Sequence, residues 1–126
     1  MKSILVPTDF SKPSIVAAEV AVDIAKKAGS KVVFLNVVEE ATDGSFNVEG
    51  QVSQGGWEDR LFTFKLIEKA KKQLEKMVKD PKFAAVDVTG ELRVGNPFHG
   101  MRTIITEHKV DLVVMGTSGH TKTESM

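Results

Sequence analysis

The chain has 126 residues, 41% of them apolar and 27% charged, with 17 basic residues against 17 acidic ones. That profile fits one soluble globular domain rather than two, and the even charge balance gives no support to a nucleic-acid groove. The absence of cysteine excludes a disulfide framework and a thiolate zinc site, and no apolar run approaches the roughly 20 residues that span a bilayer.

The opening MKSILVPTDF is too short in its apolar part, and too soon broken by Pro7, to be a secretion signal, so a cytoplasmic location is expected. Residues 3 to 7, SILVP, fit a short strand buried on both faces. A helix follows: Ser11 can cap it, Pro13 suits its first turn, and Ile15, Ala18, Val22 and Ala25 recur at helical spacing up to Gly29. The β-branched run KVVFLNVV, 31 to 38, predicts a second strand. Residues 39 to 56 hold four glycines and no lasting period, and read as a long loop for lid or partner contact.

From Trp57 a helical pattern returns, with Leu61, Phe64, Ile67, Leu74, Met77 and Val78 assigned to one inner face and Asp80-Pro81 as its stop. Phe83 to Val94 predicts a third strand interrupted at Gly90. Asn96 caps a third helix that Pro97 opens, and Phe98, Met101 and Ile105 are expected to share its inner face. Val110 to Met115 is the fourth strand. Four strands alternating with three helices predict an open parallel sheet sandwiched by helices, with any ligand beyond the carboxyl ends of the strands.

The residues just after each strand are therefore the candidates. Gly116-Thr117-Ser118-Gly119 follows the last strand, and glycines there let backbone N–H groups approach an oxyanion. The same four residues also make an ordinary strand-to-loop turn. Asp9, after Pro7 and Thr8, suits ribose hydroxyls or a metal, and equally a cap for the first helix. Val37 and Val38 suit the wall of an adenine pocket or plain core. His99, His108 and His120 are scattered, with no metal-ligand spacing, and His108 suits the negative end of the third helix. No P-loop, no dinucleotide fingerprint and no nucleophile elbow occurs.

Taken together, ILVPTDFS, NVVE, VGNP and VDLVVMGTSGH resemble the universal stress protein family over the whole chain. The resemblance implies an adenine nucleotide alpha hydrolase-like, Rossmann-like α/β fold and an ATP-binding stress-response or signalling module, with at most slow hydrolysis. It implies that Pro7, Thr8 and Asp9 meet the adenosine, that Val37 packs on adenine, and that Met115, Gly116, Ser118 and Gly119 support ribose and phosphate. ATP, with Mg, is the cofactor it implies, and a side chain at Gly116 is expected to block the phosphate path. The family's motif is G-x-x-G, nine residues, then G-[ST]. Gly116 and Gly119 match its first half, while the second half falls at 129 and 130, past Met126.

Residues 1–126 are accordingly expected to form a single domain truncated before the family's last helix and fifth strand. The fourth strand then becomes an exposed edge, expected to pair with a second copy in a homodimer or with a tandem second domain. The alternative function is a dimeric protein-interaction module that binds no nucleotide. A phosphoacceptor regulator is disfavoured, because Asp9 stands without a neighbouring acid and the third strand does not end in one.

Overall fold

The computed structural model describes residues 2–39 and 52–116, with backbone alone for 52–56. Four strands lie in one sheet: β1 (Ser3–Pro7), β2 (Lys31–Val38), β3 (Val88–Val94) and β4 (Leu112–Val113). Three helices connect them: α1 (Lys12–Ala28), α2 (Val52–Val78) and α3 (Pro97–Glu107). The spatial order is β3-β2-β1-β4, and every pairing is parallel. Strand order therefore reverses beside β1, where the chain goes first to β2 and later returns to β4.

The pleat sorts alternate residues of β1 and β2 into two cores. Ile4, Val6, Val32 and Phe34 face α1 and α2, and pack on Ala18, Ala21, Val22, Leu74 and Met77. Leu5, Val33 and Leu35 face α3 and pack on Ile104. Helices thus cover both faces, as the alternation predicts. The caps are those read from the sequence: the Ser11 side chain accepts from Ser14 N, Gly29 closes α1 at φ +70°, and Asn96 Oδ1 accepts from Phe98 N and His99 N.

Several expectations are corrected. Helix α2 begins at Val52, so 52–56 are helical rather than loop, and residues 40–51 lie outside the described residues. Leu61 and Phe64 do not join the inner face of α2. They are 41% and 56% exposed, and the buried positions are Ala70, Leu74 and Met77. Phe83 is not in a strand. It sits in a 3-10 turn, Pro81–Phe83, and its ring meets Phe34 edge-on at 5.2 Å between centroids. β3 runs unbroken through Gly90, which pairs with Phe34. A Cβ on Gly90 would lie 2.9 Å from Leu74 Cγ, so glycine there admits the helix instead of marking a bulge.

On α3 the buried residues are Gly100 and Ile104, whereas Phe98 is 75% exposed. A Cβ on Gly100 would lie 3.0 Å from Val37 Cγ2, which shows how closely this turn of the helix approaches β2. His108 ends α3, and its Nε2 lies 2.9 Å from Glu91 Oε2 on β3. Arg93 bonds Glu91 at 2.8 Å and Glu107 at 3.0 Å, completing a polar clasp between β3 and α3. β4 is shorter than expected, although Asp111 N donates to Ser3 O and Val114 N to Leu5 O beyond its ends.

Two substitutions separate the observed face of α3 from the expected one. Ile104→Ala is expected to destabilise by about 2–5 kcal/mol in urea titration. Phe98→Ala is expected to stay within about 0.5 kcal/mol of the parent. Equal losses would place the face wrongly.

Candidate functional site

Beyond Pro7 the β1 backbone stays in register with β2. Thr8 N donates to Leu35 O at 2.8 Å, and Asn36 Nδ2 donates to Thr8 O at 2.8 Å. Thr8 and Asn36 are both buried, so each polar group needs the other. The chain then turns sharply into α1. Phe10 adopts φ +67°, a left-handed conformation uncommon for a bulky residue. Two contacts hold it there: Phe10 N donates to Thr8 Oγ1 at 3.0 Å, and its side chain packs against the α1–α2 core. The Ser14 hydroxyl donates to Ser11 O at 2.9 Å, which leaves Thr8 Oγ1 to donate to Ser14 Oγ at 2.9 Å.

This turn leaves Asp9 exposed at the strand tip. Its Oδ1 accepts from Ser11 N at 3.0 Å. The Ser11 hydroxyl, with the Ser11 N–H, holds the Asp9 carboxyl below the usual carboxylate range, so it is ionised at neutral pH.

Around this tip lies a cleft of about 300 Å³, at the small end of the roughly 300–1,000 Å³ usual for ligand sites. Pro7, Thr8 and Asp9 supply one wall and Val37 another, while Met115 and Gly116 close the β4 side. Six of the eight residues named from the sequence thus line one cleft; Ser118 and Gly119 lie outside the described residues. Eight further lining residues were not among those candidates: Ser11, Pro13, Ser14, Leu35, Asn36, Glu39, Pro97 and Met101. Asn36 had a visible signal, as a polar residue inside a run of valines and leucines. Pro97 and Met101 had none, because only the packing of α3 on β2 turns them toward the strand tips. A second depression, of about 340 Å³ between α2 and β3, contains none of the strand-tip residues.

The arrangement is a strand-order reversal with an acidic tip, an apolar wall and a glycine crossing on the far side. The universal stress protein family model matches residues 1–126. The chain belongs to the universal stress protein family. Universal stress protein MJ0531 of Methanocaldococcus jannaschii is 32% identical over 123 residues, which are 98% of this chain and 68% of that protein. The hypothetical protein MJ0577 shares the fold at a TM-score of 0.68 with 25% identity, over 99% of this chain and 81% of that one. A universal stress protein in complex with cAMP shares it at 0.52 with 21% identity, over 90% and 70%.

Within this family member, Gly116 has a packing duty of its own. A Cβ there would overlap the Pro13 carbonyl and lie 2.8 Å from Ser14 N, so β4 can cross the start of α1 only as glycine. A side chain at Gly116 meets the helix before it meets any phosphate. Loss of binding in a Gly116→Val variant therefore does not identify a phosphate path.

Gly116→Ala is expected to lower stability by about 1–3 kcal/mol in the absence of ligand, because overpacking forces α1 and β4 apart. An unchanged melting temperature would show that the crossing is looser than described. Asp9 carries a pH signature. Its lowered pKa means that its stabilisation is full above the ordinary aspartate range and fades as pH falls through the lowered value. The stability gap between parent and Asp9→Ala should thus be constant from pH 7 to about 5 and close below about pH 4. A gap that persists at lower pH would contradict the ionised hydrogen-bonded carboxylate.

Proposed function

We propose that the strand-tip cleft binds an adenine nucleotide, ATP foremost, and that the chain is a nucleotide-responsive stress or signalling module rather than a dedicated enzyme. The observation that carries this is the convergence of Pro7, Thr8, Asp9, Val37, Met115 and Gly116 on one cleft at the strand-order reversal. Val37, Pro97 and Met101 offer apolar surface to the two faces of a purine. Asp9, ionised and fixed by Ser11, accepts hydrogen bonds from the ribose hydroxyls. Met115 and Gly116 mark the side toward which the phosphates extend, with Ser118 and Gly119 next in the chain.

Charge decides the form of the ligand. Among the described residues, the charged side chains lining the cleft are Asp9 and Glu39, both acidic. A polyphosphate beside two carboxylates gains from a divalent counter-ion, so Mg-ATP is the expected species rather than free ATP. The start of α1, whose Ser11 and Ser14 line the cleft, adds a positive partial charge. A family member of the same fold holds cAMP, which supports adenine as the base. A second reading, an interaction module that binds no nucleotide, draws on the exposed apolar residues of α2.

Calorimetric titration separates the two. Mg-ATP is expected to bind well ahead of Mg-GTP, and Asp9→Ala is expected to weaken ATP by about tenfold, the scale of one charge-assisted hydrogen bond. No heat with millimolar ATP, ADP or cAMP, or equal binding of GTP, would overturn the nucleotide reading.

A further inference from the structure

β3 ends the sheet, with β2 on one flank and, among the described residues, no strand on the other. Asp87 O accepts from Val32 N at 2.9 Å and Gly95 N donates to Val38 O at 2.9 Å, so the odd-numbered residues of β3 bond toward β2. The backbone N–H and C=O groups of Val88, Gly90, Leu92 and Val94 therefore point away from the sheet. Edges of this kind are usually blunted by a bulge, a proline or a very short strand. β3 has seven residues, unbroken register and no proline. Its two charges, Glu91 and Arg93, are held on the α3 side by His108 and Glu107. Among the described residues, the group bonded to the outer row is Arg93 Nη1, which donates to Leu92 O at 3.1 Å.

Beside this edge lies the depression of about 340 Å³ between α2 and β3. Leu74, Val78, Gly90 and Leu92 make its apolar floor, and Gly90 keeps the middle of the strand clear of any side chain. Lys71, Glu75 and Lys79 recur at steps of four, so they form one row along its rim. All three are exposed, and none takes part in an ion pair among the described residues.

We propose that the β3 edge and this depression together dock an extended acidic segment of a partner protein, which adds to the sheet as one more strand. Main-chain bonds to the outer row supply affinity, and alternate side chains supply choice. Lys71 and Lys79 stand eight positions apart on α2, about 12 Å along the helix. A strand covers that distance in about four residues, with residues i, i+2 and i+4 on one face. The motif that fits is acid, any residue, apolar, any residue, acid. Its apolar side chain lies over Gly90, and its acids meet the two lysines. Charge argues against a second copy as the occupant. Two β3 edges paired antiparallel about Gly90 would set Glu75 against Glu75 and Lys71 against Lys79, with like charges at each meeting of the rims. The site shares no residue with the strand-tip cleft, so it stands apart from the nucleotide reading.

The test uses the full chain and a fluorescently labelled peptide, TETLTET, followed by anisotropy. Saturable binding below millimolar concentration is expected. Exchanging both glutamates for lysine, as TKTLTKT, should weaken it about tenfold, and the protein variant Lys71→Glu with Lys79→Glu should reverse that preference. Reversal of preference reads contact with the rim, which altered folding does not mimic. Amide hydrogen exchange then locates the peptide. TETLTET should slow exchange at Gly90 and Leu92 at least about tenfold and leave Glu91, whose N–H already faces β2, unchanged. Absence of binding, a variant that keeps the parent's preference, or protection at β4 in place of β3 overturns the proposal. So does a free chain in which the Gly90 and Leu92 amides are already protected, because another part of the chain or a second copy then occupies the edge.

Discussion

Burial of β1 on both faces and pairing on both edges is the constraint from which the rest follows. Ile4, Leu5 and Val6 are fully buried, between α1 and α2 on one side and α3 on the other. β2 and β4 both take their register from β1. A strand so enclosed cannot shift by one residue without driving Leu5 into the wrong core. Its C-terminal tip is therefore fixed in space. The buried Asn36 amide extends that order by one residue, since it holds the Thr8 carbonyl where the ladder would otherwise end. The strained Phe10 turn and the placement of Asp9 both depend on this anchor.

The same constraint explains the cleft. Strand order reverses beside β1, with β2 on one side and β4 on the other, and the cleft lies at their carboxyl tips. α1 starts from one side of that cleft and α3 from another. Gly116 crosses the first turn of α1 so closely that no side chain fits, and Gly100 lets α3 sit down on Val37. Both glycines act through packing. The dimensions of the site are thus set by how near two helices can approach a parallel sheet, before any ligand arrives.

Much of this was legible in the residues. The buried strands, the Ser11 and Asn96 caps and the Gly29 stop each have a local chemical cause, and local causes can be read one residue at a time. The family resemblance brought distant strand tips together, which no local pattern does. What was misread depended on tertiary geometry. Leu61 and Phe64 have helical spacing relative to Trp57, and spacing alone does not say which of two apolar stripes meets the sheet. Phe83 has strand-like neighbours, yet its ring is needed against Phe34 before β3 begins. Gly90 looked like a break because the helix that crowds it lies far away in sequence. Pro97 and Met101 entered the cleft only once α3 was docked.

Photolabelling tests the central claim most directly, that one cleft at the strand tips receives the adenine nucleotide. The intact protein would be irradiated with an azido-adenine nucleotide and Mg, and its labelled peptides mapped. The expected result is label in the peptides bearing Pro7 to Asp9, Leu35 to Glu39 or Pro97 to Met101, suppressed by excess ATP and not by GTP. Label confined to α2, or strand-tip label that ATP does not suppress, would contradict it.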